Sequence, residues 1–329
     1  GNLLENQELV DVLNTTKTES KAVQAKLIEA EVKTKEINEQ REQFRPVAIR
    51  GSVLYFCIIE MSLVNWMYNS SLGQFLQLFD YAIDNSDRAP QPAKRVDNII
   101  RYLTYHVYRY VNRGLFEKDK VTFVLMVCFN IMLRDGKINP GDIAMFLKAG
   151  STLDVTERSP IKFMEDSAWN NCRALSKHVF QNETVPFFKE LTQNIERNES
   201  TWKAFIEGSS HEKVTVPDFA ERLLSDKELG SFLYLCIMRC IREDRTLVAA
   251  VQFINDKLGP EYTSPVTDSI ESIWNESQTL VPVLFLLSAG ADPTSTIDEF
   301  SKKKRKTYCD KVSMGEGQDK YAEESIKNG

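Results

Sequence analysis

The residues best placed to handle a phosphate are Ser288-Ala-Gly-Ala-Asp-Pro-Thr294. They follow the apolar run Val281–Leu287 and precede a helical pattern from Ser295 to Lys306. Strand, glycine-containing loop and helix in that order build a nucleotide loop. A working one reads GxxxxGK[ST]: the glycines admit the backbone to the phosphates, the Lys neutralises them and the Ser or Thr hydroxyl meets magnesium. This loop offers Gly290, then Asp292 and Pro293, and no Lys. A carboxylate repels phosphate, and proline has no N–H to donate. The favoured reading is a plain helix start with Asp292 as cap and Pro293 in the first turn; no nucleotide is expected there.

Other chemistry-bearing groups are scattered. Arg242-Glu243-Asp244-Arg245 is a charged break between two helical patterns, and its arginines could neutralise their own acidic neighbours or pair with another module. Lys302-Lys-Lys-Arg-Lys306 could be an acid-binding patch or a nuclear signal. On a helix it is read as a solvated face that suits the C-terminal end of the dipole. His106, His178 and His211 are separated from one another and from any Cys pair, so no metal site is expected. The six Cys include no CxxC; Cys236 and Cys240, four apart on a helix, read as core, and free buried thiols are expected.

Such groups need a frame, and the longest element is N-terminal. Leu9, Leu13, Thr16, Ser20, Val23, Leu27, Ala30, Thr34, Ile37, Arg41 and Phe44 recur at steps of four and three, and no Gly or Pro interrupts Gln7 to Arg45. This is a heptad seam, predicting a helix about 55–60 Å long. So few large seam residues cannot hold a lone helix in water. One arm of an antiparallel coiled coil is expected, with Gly1-Asn2 at its tip and the other arm preceding this sequence. Arg45-Pro46 is expected to end the helix, because a residue before proline is pushed out of the α region.

From Val47 to Ile83 the residues are large and apolar, predicting helix buried on most sides with a break near Asn69–Ser71. Further helices are expected over Val96–Leu115, Glu117–Leu133, Asn139–Ala149, Ser167–Ser176, Phe187–Glu196, Ser200–Glu207, Asp218–Asp226, Lys227–Arg242, Thr246–Leu258 and Ser269–Gln278, with Trp169 and Trp202 as anchors. Arg113, Glu117 and Asp119 read as a packing and capping cluster. Val281–Leu287, apolar on both faces, reads as a central parallel strand. Val312–Met314 reads as a possible second strand and Ala322–Lys327 as the helix after it. Charged residues are 27% and the net charge is −6, which argues against a general nucleic-acid binder. No apolar run reaches eighteen residues, so no membrane span is expected.

Taken in order, Leu3-Leu-Glu-Asn6, Arg45-Pro46 with Gly51-Ser-Val-Leu-Tyr-Phe56, Met67-Tyr68, Ser71-Leu72, Phe75-Leu76, Arg113-Gly-Leu-Phe-Glu117, Arg242–Arg245, Leu286–Thr294 and Ser313-Met-Gly-Glu-Gly-Gln318 resemble the motor of dynein heavy chains, most nearly axonemal ones of the outer arm. The resemblance runs nearly end to end. It implies a mainly α fold: residues 1–45 the second arm of a coiled-coil strut (seam Leu9, Leu13, Val23, Leu27, Ala30, Ile37, Phe44), 46–278 the helical lid of the fifth AAA+ module, and 279–329 the truncated α/β start of the sixth, with a degenerate P-loop.

The resemblance places Arg242 and Arg245 near positions from which lid arginines can reach the phosphates of their own module. It implies no cofactor in this segment, with ATP, ADP and Mg bound elsewhere in the parent chain. Implied partners are the rest of the heavy chain (the stalk coiled coil and neighbouring modules), microtubules through the stalk, and intermediate and light chains through the parent complex, with no nucleic acid and no membrane. The implied setting is the cytoplasm and cytoskeleton, specifically the axoneme of a cilium or flagellum. The expected function is a non-catalytic, force-transmitting segment that couples the AAA+ ring to the stalk. Two alternatives stand beside it. A nucleotide-binding ATPase segment would need the missing Lys. A free-standing coiled-coil adaptor would need the seam to pair with itself, which the small polar residues Thr16, Ser20 and Thr34 oppose.

Overall fold

A computed structural model describes the chain except residues 1–6, 182–187, 209–215, 217–226, 266–267, 278–280, 286, 288–289, 307–308, 314 and 329. The described residues form helices and no strand. Compactness divides the chain into Gly1–Ser264 and Pro265–Gly329.

The first unit opens with α1, Gln7–Val64, a single helix of 58 residues. Good helix formers build it, helped by the Lys33–Glu29 pair at 2.6 Å. It does not end at Arg45-Pro46 as expected: Pro46 lies inside it. Proline removes one rung of the ladder, the bond to the carbonyl of Glu42. Glu42 and Pro46 are both exposed, so water can satisfy that carbonyl, and the cost falls short of breaking the helix. The actual stop is Asn65, which leaves the helix with extended backbone and takes the N–H of Met67 on its side chain at 3.0 Å.

Then come α2 (Leu72–Asn85), capped by Ser71, which accepts from the N–H of Gln74 at 3.2 Å, and α3 (Pro92–Gly114), with proline in its first turn. Arg95 of α3 closes the end of α2 by donating to the carbonyls of Ile83 (2.6 Å), Ser86 (3.0 Å) and Asp87 (2.9 Å). α4 (Glu117–Arg134) and α5 (Pro140–Lys148) follow. In α5 a capping box forms: Asn139 takes the N–H of Asp142, and Asp142 takes that of Asn139, both at 2.9 Å.

The looser stretch holds α6 (Asp166–Lys177), α7 (Leu191–Arg197) and α8 (Glu199–Glu207). Trp169 and Trp202 are buried in it, as expected of anchors, and the Trp202 indole donates to Asn194 at 2.8 Å. The helix expected at Asp218–Asp226 lies outside the described residues. α9 (Lys227–Ile241) and α10 (Thr246–Lys257) close the unit. Their core is aromatic: Phe129 of α4 meets Phe146 of α5 at 5.5 Å, Phe232 of α9 at 5.7 Å and Phe253 of α10 at 5.8 Å between ring centres.

α1 contains an 18-residue window of mean hydropathy 1.7, long and apolar enough by composition to cross a membrane, where none was expected. One face of its C-terminal half is core instead: Val47, Val53, Leu54, Cys57, Ile58 and Met61 are buried, and α1 packs on α3 and α4.

The second unit holds α11 (Ile270–Glu276), α12 (Thr294–Phe300), a π-helical turn at Ser301–Arg305 and α13 (Asp319–Asn328). Trp274 of α11 lies 6.1 Å from Phe300 of α12 between ring centres. The expected strand at Val281–Leu287 is not there among the described residues: the backbone has no ladder partner, and Val281, Val283, Leu284 and Leu287 are exposed, Leu284 by 83%. A parallel strand is held by neighbouring strands and by helices covering both faces, and the described residues of this unit supply neither. Val312 and Ser313 likewise form no strand, and Met314 lies outside the described residues. The helix expected over Ser295–Lys306 is α12 plus the π turn, stopped where Lys306 turns left-handed at φ +55°.

Candidate functional site

Three places could carry function: the root of α1, the loop before α12, and the arginine cluster after α9.

The root of α1 is where an exposed arm becomes part of a core. Residues 11–46 are all exposed, and Val47 is the first buried one among the described residues. The seam residues Leu9, Leu13, Val23, Leu27, Ile37 and Phe44 are 39–59% exposed, and Ala30 is exposed too. Leu27, Ala30 and Thr34 line a shallow groove along this bare face with Glu31, Lys35 and Asn38. An apolar seam in water is a face shaped for a partner.

Beyond Pro46 the helix is fixed at once. Val47 packs with Val96 and Ile99 of α3, flanked by Phe79, Ile83 and Ile100. Arg50 donates to the Thr104 hydroxyl at 3.1 Å. Burial lowers the pKa of its guanidinium, against the opposing pull of Asp135. Gly51 carries the ring of Phe79 on its bare α-carbon. Cys57 accepts from Asn130 of α4 at 3.4 Å, and burial pushes its thiol up to about 12.

Cys236 and Cys240 are buried core thiols as expected, and burial raises both, Cys240 to about 12. Cys309 departs from the expectation of buried thiols: it is exposed, with Ser301 Oγ at 2.8 Å from its sulfur. His178 meets the buried Asp142 at 2.7 Å, while His106 stacks on Tyr81 at 4.8 Å. His211 lies outside the described residues. No group of three metal-ligating side chains forms among the described residues.

At the loop, Gly290 has φ +85°, a backbone that favours glycine. Asp292 Oδ1 accepts the N–H of Thr294 at 2.9 Å and its hydroxyl as well. Those two bonds hold the Asp292 carboxyl below its ordinary pKa, so it is charged at neutral pH. Pro293, rather than Asp292, is the residue at the cap position. A negative charge thus sits on the first free N–H of the helix, where a phosphate oxygen would have to go, and the next residue back has no N–H. These residues do not fit a phosphate group.

At the cluster, Arg242 grips Asp244 with two parallel bonds, Nε to Oδ1 at 2.8 Å and Nη2 to Oδ2 at 2.7 Å, and donates through Nη1 to the carbonyl of Ile206 near the end of α8. The hydrogen bonds from Arg242 depress the Asp244 carboxyl to about 2. Arg245 Nε lies 3.7 Å from Asp244 Oδ2, and Arg239 pairs with Glu243 at 3.2 Å. The arginines and the acids between them form a mutual pairing. At Lys302–Lys306, Lys303 pairs with Glu299 at 3.3 Å and Lys304 with Glu271 at 3.5 Å.

Sequence reading missed the partners of α1's root. Gly51 inside a helical pattern is a signal of close packing, but nothing in the sequence names Phe79. It also missed Glu228, which receives Lys137 at 2.8 Å and Lys257 at 2.6 Å. That knot joins the α4–α5 connection to α9 and α10, elements far apart in sequence.

Residues 278–329 match a family model described as "Dynein heavy chain region D6 P-loop domain". The whole chain is similar to larger proteins. It is 40% identical over 327 residues to "Dynein gamma chain, flagellar outer arm" of Chlamydomonas reinhardtii, covering 98% of this chain and 7% of the relative. It is 39% identical over 330 residues to human "Dynein axonemal heavy chain 8", covering 99% and 7%. It is 32% identical over 329 residues to human "Dynein axonemal heavy chain 1", covering 100% and 7%. The chain belongs to the dynein heavy-chain family, and its relatives are axonemal. It spans about 7% of the length of the relatives it matches.

Proposed function

We propose that this chain is a non-catalytic, force-transmitting segment of an axonemal dynein heavy chain. The observation that carries the reading is the continuity of α1. One helix runs from a seam exposed over residues 11–46 into a core packed on α3 and α4, so a displacement of the arm has a continuous path into the body. The arm is one strand of an antiparallel coiled-coil strut, its seam covered by the other strand. Residues 46–278 serve as the lid of the fifth AAA+ module and 279–329 as the opening of the sixth. Through the strut, ring movements reach the stalk and alter microtubule affinity.

The segment itself performs no hydrolysis. The matched P-loop region carries Gly290-Ala-Asp-Pro in place of GxxxxGK[ST], and Arg242 and Arg245 are paired with Asp244. ATP, ADP and Mg act elsewhere in the parent chain. Its partners are the rest of the heavy chain, microtubules through the stalk, and intermediate and light chains in the assembled complex, in the axoneme of a cilium or flagellum.

The test is Leu27→Pro in the intact heavy chain. A proline in mid-helix costs about 3 kcal/mol locally, and at Leu27 it also removes a large seam side chain, so the proposed pairing of the arm with the other strand should be lost. The expected result is normal ring assembly and basal ATP turnover with microtubule stimulation lost. Unchanged stimulation would refute the reading.

A further inference from the structure

We propose that α1 is a jointed lever whose joint is Pro46. The inference goes beyond the strut reading: it rests on that reading for the joint's use and not for its existence.

Three observations coincide within six residues. The first is the missing rung. Pro46 has no N–H for the carbonyl of Glu42, and a proline ring crowds the carbonyl four residues back, so this turn is the softest in the helix. The second is the burial boundary. Every residue from 11 to 46 is exposed, and Val47 is buried. Bending stress in a rod clamped at one end is greatest where the clamp begins, which here is the proline. The third is the clamp. Val47 sits among Val96 and Ile99, Arg50 bonds Thr104, and Gly51 lies under Phe79, so α1 is held on several sides within five residues of the joint. On the arm side, Arg45 and Glu42 form an exposed pair at 2.6 Å that spans the weakened turn. It is a local brace within the arm, open to salt.

A sound helix would place the arm's flexion anywhere along its length. A helix lacking one bond at the mouth of its clamp places it there. Movement of the arm then becomes rotation about a fixed point, and the buried root keeps its register on α3. The sequence marks this point by breaking a rule, a proline inside a helix that otherwise continues unbroken for 58 residues.

The experiment is single-molecule energy transfer in the intact heavy chain. Dyes are attached through non-natural amino acids at the exposed positions 36 on the arm and 84 at the end of α2. Efficiency is recorded without nucleotide, with ADP and with an ATP analogue. The wild type is expected to show an arm-to-body distance that shifts between nucleotide states. Pro46→Ala restores the missing bond and should shrink that shift by about half or more. Gln43→Ala, one turn back on the arm and exposed, should leave it unchanged. The joint is overturned if the wild-type distance is the same in every state, if Pro46→Ala leaves the shift intact, or if Gln43→Ala shrinks it equally. Microtubule-stimulated turnover of the same variants separates the two claims. A shrunken shift with normal stimulation keeps the joint and defeats the strut reading. An intact shift defeats the joint alone.

Discussion

The ring of Phe79 occupies the place where a side chain at Gly51 would begin: a β-carbon built on Gly51 would lie 2.6 Å from Phe79 Cε2. α2 therefore comes closest to the backbone of α1 at a residue that has no side chain, beside the Tyr55–Phe75 ring contact at 5.3 Å. Gly51→Ala gains helix propensity, about 1 kcal/mol, and loses more to overpacking, about 1–3 kcal/mol. Because Phe79 belongs to the apolar group around Val47, its ring cannot simply swing away. The expected net loss is about 1 kcal/mol, read as a lower urea midpoint. Gly51→Ala combined with Phe79→Leu should recover part of it, and a variant that gains stability without that second change would disprove the contact.

Tyr68 joins two segments by its hydroxyl, donating to Asp119 at 2.7 Å and accepting the N–H of Phe116 at 3.1 Å. Phe116 is the N-cap residue of α4 and has no side-chain cap of its own, so Tyr68 supplies one from a distance. Tyr68→Phe leaves the buried Asp119 carboxylate and the Phe116 N–H without this partner. The expected cost is about 1–3 kcal/mol, with faster amide exchange in the first turn of α4 than elsewhere in that helix. Uniform exchange across α4 would count against it.

Much of the helical frame was legible because it rests on local signals. Asn139-Pro140-Gly141 marks a helix start, and Trp169, Trp202, Cys236 and Cys240 sit in apolar patterns that became core. The expected end at Arg45-Pro46 failed because the rule about residues before proline is local. Whether a helix survives the lost bond depends on what lies around it, here water on the arm side and a clamp on the body side. The strand expected at Val281–Leu287 is absent among the described residues for the opposite reason: an apolar run states only that partners are wanted, and the described residues of this unit do not supply them. At the loop, the absence of Lys beside Gly290 was legible at once. The bond from Thr294 to Asp292 and the grip of Arg242 on Asp244 and Ile206 depend on the folded backbone, which no local pattern specifies.

Glu228 gives the first unit a pH dependence. Burial pushes its carboxyl up, but the hydrogen bonds from Lys137 and Lys257 outweigh that, and its pKa ends below the ordinary value. A carboxyl depressed on folding adds stability that is fully present above its unfolded pKa, about 4.3. That stability is lost as pH falls through the unfolded value and then the lower folded one. Glu228→Gln should cost about 2 kcal/mol at pH 7 and flatten the fall in urea midpoint between pH 5 and 3. The two proteins should converge at the acid end. Parallel curves would show that Glu228 is not the group titrating.

Arg242 offers the sharpest contrast between a structural and a nucleotide role. Its two bonds to Asp244 and its third to the Ile206 carbonyl hold the end of α9 to α8. A bidentate pair of this kind is among the stronger exposed interactions, and losing it with the carbonyl bond should cost about 1–2 kcal/mol. Arg242→Ala is therefore expected to lower the thermal midpoint while leaving ATP turnover of the intact heavy chain, and its dependence on ATP concentration, unchanged. Arg242→Lys should not rescue the midpoint, since an ammonium cannot make both parallel bonds and still reach Ile206. If the midpoint held and the ATP dependence moved, Arg242 would be a phosphate contact, and the assignment of this segment as purely mechanical would fall with it.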